Sequence, residues 1–361
     1  MLKNNKTNEN RKWDHLKLIY EQGMQSKKNW MDDVILHPDA IPFVDYHDAS
    51  TSCMLFGERF AAPFLVAAMT GGHPRAKQIN EILAMACSKK GVPMGLGSQR
   101  VGVEDEELIQ TYRVARDVSP DLFLLGNIGM SQLVSAGNPI TLARECVDMI
   151  DANGLVIHFN KLQELIQPEG DRVFATIMEI VSAVKDDLPV PVILKEVGMG
   201  FSERDSRTLN AGSVDAIDIG GFGGTNFSLV EAGRITNDNY PYSRNPGNIF
   251  QDCGTPTPIS IYFMRKNSDL PIIATGGIRT GLDVVKTICI GASMAGIAYP
   301  FLLSAMDDLK EGNGYLSRTE RQIDTLIHEI RITMVLLNAR SIDELDSTCI
   351  HFTGDLSHWV D

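Results

Sequence analysis

Eight short, nearly continuous apolar runs recur along the chain, separated by segments with helical periodicity. The runs are FLVAAM from Phe64, PMGLGS from Pro93, LFLLGNI from Leu122, GLVIHFN from Gly154, PVILKEV from Pro191, AIDIGG from Ala216, IIATGG from Ile272 and MAGIAY from Met294. Runs apolar on both faces suit parallel strands that are covered on both sides. The intervening stretches Arg75 to Lys90, Asp105 to Arg116, Thr141 to Asp151, Asp171 to Lys185 and Gly281 to Ile290 space their apolar residues as helices do. Eight such units predict an α/β protein whose sheet closes into a (β/α)8 barrel of the TIM type. An open, doubly wound sheet is the alternative.

Two regions stand outside the repeat. Residues 1–60 precede the first strand and form an N-terminal extension contributing to the mouth, so that residues 61–361 make the barrel and its C-terminal helices. The stretch from Gly220 to Asn248, after the sixth strand, is too long and too rich in Gly, Asn and Pro for an ordinary connection. Long loops at this end of a barrel are commonly lids.

Composition narrows the partners. With 46 acidic against 33 basic residues the net charge is −13, which disfavours nucleic acid or an anionic membrane as the main partner. The six cysteines are scattered with no C-x-x-C pair, so neither structural zinc nor a disulfide framework is expected, and a reducing, cytoplasmic setting fits. The polar N-terminus has no signal-like apolar core, and no run is long enough to span a bilayer.

In barrels of this kind chemistry gathers at the C-terminal ends of the strands. Here those ends read Met69-Thr70-Gly71-Gly72, Ser98-Gln99-Arg100, Asn127, His158-Phe159-Asn160, Lys195-Glu196, Gly220-Gly221, Gly276-Gly277 and Ala298. A core-only barrel has no need of such small, hydrogen-bonding and charged residues at all eight positions. The glycines at 276, 277 and 296 let backbone N–H groups approach an oxyanion, which makes the last two units a candidate phosphate site; a tight turn alone is the plainer alternative.

Alternation puts Lys195 on the face of Ile193, where a buried ammonium needs an anion: a ligand, Glu196 or a neighbouring carboxylate. His158 and Asn160 share a face and both can donate to oxyanions. Gln163 and Glu164 follow, flanked by Leu162 and Leu165, and Glu164 is a candidate Mg2+ ligand beside phosphate oxygens. Arg11, Lys12 and His15 form a basic cluster ahead of the core. It is either a solvated tail or an arm over the mouth of its own or a neighbouring barrel.

The segments RKWDH, AAMTGG, GLGSQR, GNIG, HFNKLQELIQPEGDR, VILKEVGMGFS, DIGGFGGTNFS and ATGGIRTGLDVVKTICIGA together resemble the type 2 isopentenyl diphosphate isomerases, from about Arg11 to the C-terminal helices. TGGIRTG is shared with other FMN barrels, whereas HxNxxQE followed by PEGD and LKEVG is far more discriminating. The resemblance implies a 1,3-allylic proton shift between isopentenyl and dimethylallyl diphosphate, using reduced FMN, Mg2+ and NAD(P)H as reductant. It places FMN against Met69, Thr70, Gly71, Ser98, Asn127, Lys195, Thr225, Gly276, Gly277 and Gly296 to Ala298. It places the diphosphate against Arg11, Lys12, His15, Arg100, His158 and Asn160, the metal on Glu164, and Gln163 beside the reactive carbons. It also implies a homo-oligomer, tetrameric or octameric. Two departures stand out: Gly220-Gly221 where the family often has Ser-Gly, and Phe227 where many members carry Trp.

Three rivals remain at this point. An FMN oxidase of 2-hydroxy acids would want a histidine near the late strands, and none occurs between His158 and His328. An inosinate-dehydrogenase-like enzyme would want a cysteine in the loop after the sixth strand, where none occurs before Cys253. A non-catalytic flavin-binding barrel would leave His158, Asn160, Gln163, Glu164 and Lys195 without a task.

Overall fold

The computed structural model describes residues 2–168, 170–174, 176–209, 212–235, 242–311 and 317–360, with the side chains of residues 2–11 and 317 outside that set. Eight parallel strands close into a barrel in sequence order: Phe64–Val66, Met94–Gly95, Leu124–Gly129, Gly154–Phe159, Val192–Glu196, Ala216–Asp218, Ile272–Thr275 and Met294–Ile297. The last strand closes on the first, with Ala295 paired to Phe64. All eight apolar runs of the sequence supply one strand each. The open-sheet alternative is excluded by that closure.

Helices cover the outside, and local sequence sets their ends. Helix Pro139–Ile150 is capped by the Asn138 side chain, and Gly281–Ile290 starts with a Thr280–Asp283 capping box. Two helices differ from the sequence pattern. The helix expected from Asp105 to Arg116 is broken, because the Asp105 side chain accepts from Glu107 N and restarts the chain as a short 3-10 turn before Gln110–Val118. The helix expected from Asp171 begins only at Ile177, because Asp171 N is bonded instead to Glu164 Oε2.

The barrel interior is filled in layers. Leu65, Leu125, Val156, Ile193, Ala216, Ile273 and Met294 form one apolar layer, and a hairpin (Cys53–Leu55 with Glu58–Phe60) pushes Leu55 and Phe60 against it from below. That plug closes the N-terminal end. Two residues further along the same strands stand Ala67, Asn127, His158, Lys195, Asp218, Thr275 and Gly296. A period of two keeps them on the interior face, so the barrel changes from apolar filling to a polar and small layer at its open end.

The N-terminal extension crosses that open end. Helix Leu2–Gln22 buries Leu16 and Ile19, and the following residues run against the loop after the sixth strand through Ser26 N to Gly224 O and Asn226 N to Met24 O. Strand Val34–Leu36 then pairs antiparallel with Ile350–Phe352 near the C-terminus.

Candidate active site

One cleft runs across the open end, and Lys195 stands in its middle. Its first part is lined by Lys12, His15, Leu16, Ile19, Met69, Ser98, Arg100, Asn127, His158, Asn160, Gln163 and Glu164. Its second is lined by Gly220, Gly221, Thr225, Gly276, Gly277, Arg279, Gly296, Ala298 and Tyr299. Ala68, Lys195, Val197 and Phe227 belong to both. Most residues singled out in the sequence therefore converge on one space. Thr70 and Gly71 do not line it: Gly71 backs onto the Tyr112 ring, where a Cβ would come within 1.9 Å, and the buried Thr70 Oγ1 has no partner. The Arg11 side chain lies outside the described residues.

The second part is walled by backbone. Gly276 and Gly277 have φ of +110° and +81°, and a Cβ on Gly276 would lie 2.2 Å from Gly221 O. Helix Tyr299–Glu311 starts directly behind Ala298, so its N-terminal dipole points at the same space. Arg279, not singled out in the sequence reading, adds a guanidinium there, stacked on the Tyr299 ring and bonded to Gln25 Oε1. Burial pulls its pKa down, with Asp283 opposing that. The set fits the phosphate of a cofactor.

The sixth strand end leaves no room for the hydroxyl that the resemblance led one to look for. Gly220 has φ of +50°, and a Cβ there would fall 1.7 Å from Glu196 O.

Lys195 is buried, with Nζ 2.8 Å from Asp218 Oδ1 and 2.9 Å from Thr275 Oγ1. Glu196 is not its partner, because alternation turns that carboxylate away from the axis. Glu196 Oε2 instead accepts the backbone N–H groups of Val197, Gly198, Met199 and Gly200, at 2.6–3.2 Å. Burial pushes the Glu196 carboxyl up to about 7 in spite of those four bonds.

The first part is cationic and polar, with an apolar flank of Leu16, Ile19, Met69 and Phe227. Lys12 reaches Tyr112 Oη at 2.6 Å and the carbonyl of Ser98. The helix that carries it is fixed by Trp13 stacked on His73 and by His15 Nε2, 3.0 Å from Glu231 Oε1. Arg100 is braced by Glu104 at 2.8 Å. The arm thus sits over the barrel of its own chain.

His158 Nδ1 lies 2.7 Å from Asn127 Oδ1. Burial, then the charges of Lys195 and Lys12, lower its pKa to about 4, so the ring is neutral at neutral pH. With the Asn127 amide oriented this way, the ring proton sits on Nδ1. Donation from Nε2 to an oxyanion then needs the imidazolium.

Asn160 Nδ2 donates to Glu164 Oε1 at 2.8 Å, while the buried Asn160 Oδ1 has no partner. Among the described residues no group of three or more His, Cys, Asp or Glu side chains could hold a metal. One carboxylate and one unpaired amide oxygen on the cleft wall would suit a cation completed by substrate oxygens, as Mg2+ prefers.

Gln163 Nε2 donates to Glu231 Oε1 at 2.7 Å, and Gln167 Nε2 donates to the same atom at 2.8 Å. Glu231 also holds His15, and Arg234 at 2.6 Å on Oε2. Burial would raise its pKa, but His15, Arg234 and Gln163 together bring it down to about 2. The sequence reading passed over this residue. Its only local signal is an acid embedded in FSLVEAG after the sixth strand.

Comparison with known proteins fits this geometry. The profile of the FMN-dependent dehydrogenase family matches residues 174–352. The isopentenyl-diphosphate delta-isomerase of Archaeoglobus fulgidus is 39% identical over 351 residues, covering 97% of this chain and 98% of that protein. The chain belongs to that isomerase family. Its Halobacterium salinarum member is 40% identical over 355 residues, covering 98% and 96% of the two chains. Among solved structures, a flavocytochrome b2 variant with sulfite bound superposes with a TM-score of 0.64 at 17% identity, covering 94% of this chain and 83% of that one. A mandelate oxidase variant with a monooxide FMN adduct gives 0.58 at 18%, covering 90% of each. These two share the barrel fold. The isomerase family is set apart from them by full-length identity.

Proposed function

We propose that this protein interconverts isopentenyl and dimethylallyl diphosphate, with FMN in the glycine-walled part of the cleft and the diphosphate in the cationic part. The observation that carries this reading is the continuity of the two parts through Lys195. A phosphate-bearing cofactor and a diphosphate substrate then meet side by side, with the apolar flank beside the five-carbon tail. The late strands offer Asp218, Thr275 and Gly296 at the mouth layer and no histidine, which disfavours 2-hydroxy acid oxidation.

FMN, once bound and reduced by NAD(P)H, would supply an electron-rich ring able to stabilise positive charge on the substrate and to carry a proton. The chain's own groups bind and orient. Lys12, Arg100 and His158 would hold the diphosphate, and Glu164 with Asn160 would hold Mg2+, which would offset the diphosphate's negative charge. Gln163, anchored on Glu231, faces the alkene end as an orienting group. Lys195 supports the flavin, and the arm helix excludes water from the cleft.

We also read the protein as a cytoplasmic homo-oligomer, a tetramer or octamer. Its six cysteines are free, which suits a reducing compartment. No helix among the described residues is long and apolar enough to cross a membrane.

The test is incubation of the FMN-loaded, chemically reduced protein with isopentenyl diphosphate and Mg2+ in D2O. Deuterium uptake and dimethylallyl product are expected. Absence of both rejects the isomerase, and lactate-dependent H2O2 would favour the oxidase.

A further inference from the structure

Three neighbouring strands place Lys195, Asp218 and Thr275 two residues beyond the apolar layer of Ile193, Ala216 and Ile273. All three are buried. The Thr275 hydroxyl donates to Asp218 Oδ1 and accepts from Lys195 Nζ and from Gly220 N at 2.9 Å each. Its single donor and both acceptor positions are filled, so it has no rotational freedom.

An ammonium carries three N–H groups. Asp218 and Thr275 take two of them, which leaves one for the cleft that Lys195 lines on both sides. A buried ammonium with no counter-charge is strongly disfavoured. Asp218 supplies that counter-charge from within the protein, before any ligand arrives. Glu196, the neighbour in sequence, is held by backbone N–H groups and cannot take this part.

We propose that Asp218, propped by Thr275, is the positioning residue that fixes Lys195 with a single N–H presented to the bound flavin, and thereby sets the affinity for FMN. This rests on the FMN reading above. It assigns a task to Asp218, which lines neither part of the cleft, and to Thr275, which lines the second part and whose hydroxyl also accepts from Gly220 N. A reduced flavin carries negative charge, and a fixed N–H would serve such a charge better than a mobile ammonium.

The experiment titrates FMN into apo-protein and follows the quenching of flavin fluorescence. Asp218→Asn is expected to weaken FMN binding about tenfold, and the near-isosteric Thr275→Val about threefold. Thr275→Ser, which keeps the hydroxyl, should bind like wild type. Adding Asp218→Asn to Lys195→Met should cost nothing beyond Lys195→Met alone, because the residue acts through the lysine. In turnover, kcat falls in Asp218→Asn while KM for isopentenyl diphosphate stays within about twofold.

Circular dichroism checks each fold, and should Asp218→Asn fail to fold, the Thr275→Val and Thr275→Ser pair carries the test. Unchanged FMN affinity in Asp218→Asn or Thr275→Val overturns the proposal, as do losses that multiply in the double variant. A wild-type apo-protein that takes up no FMN overturns the cofactor reading as well. Normal FMN uptake with these variant effects but no isomerisation would overturn only the activity.

Discussion

His158 Nδ1 and Asn127 Oδ1 are 2.7 Å apart on neighbouring strands, where Asn127 is in register with Val156, two residues before the histidine. Desolvation keeps this half-buried imidazole neutral at the mouth of an otherwise cationic pocket. Lys12 and Lys195 add to that by disfavouring a further positive charge.

A pH dependence of stability follows. Folding lowers the pKa of His158 from 6.5 to about 4, so the unfolded chain binds this proton more readily. The stabilising contribution is complete above pH 6.5 and is lost as pH falls from there toward 4. At about 1.4 kcal/mol per unit, the loss amounts to about 3 kcal/mol. Urea unfolding of wild type and His158→Gln between pH 7 and 4 checks it: wild type should lose more, and parallel curves would contradict the assignment. The same chemistry predicts that diphosphate binding brings a proton onto His158, seen as buffer-dependent binding enthalpy in wild type and reduced in the variant.

Glu231 holds Gln163, Gln167, His15 and Arg234 at once, so Glu231→Gln should disturb the arm and the orienting amide together. Removing one partner of such a buried cluster typically costs about 3–5 kcal/mol. The expected outcome is a lower Tm and a kcat reduced by about tenfold or more, with FMN still bound. Since its carboxyl lies at about 2 in the fold against 4.5 unfolded, its contribution persists above pH 4.5 and is lost as pH falls toward 2. A Glu231→Gln protein with wild-type kcat would show that Gln163 needs no anchor.

Lys12 stands on the arm helix and not on the barrel, so its proposed contact with the diphosphate is separable from the cofactor pocket. Lys12→Ala should raise the KM for the diphosphate or lower turnover while flavin absorbance per subunit stays unchanged. Loss of flavin instead would mean that the arm braces the cofactor.

On the proposed reading, Glu164 and the unpaired Asn160 Oδ1 would hold the cation. Glu164→Gln should raise the Mg2+ concentration needed for half-maximal activity by about tenfold or more. An unaltered Mg2+ titration would remove Glu164 from the metal site.

The layering of the barrel was legible in the sequence because a strand has a period of two. Once Ile193 is interior, Lys195 must be, and the same step marks Asn127, His158, Asp218 and Thr275. Asp218 and Thr275 were nonetheless passed over. Each is unremarkable within its own run, and only the closing of the fifth, sixth and seventh strands side by side shows that they meet Lys195. Glu196 shows the converse: adjacency in sequence made it a natural partner for the lysine, and the pleat sends it away.

By itself, the sequence determined the eight apolar runs, their parallel order, the polar or small character of every strand end and the glycines that leave the late strand ends bare. These follow from local periodicity and from the steric limits of positive φ. Only the tertiary structure decided that the arm covers its own barrel, that Glu231 gathers His15 and Gln163, and that Asp218 holds Lys195. Those are contacts between residues from tens to more than two hundred positions apart, and no local pattern encodes which long-range partners a buried charge will find.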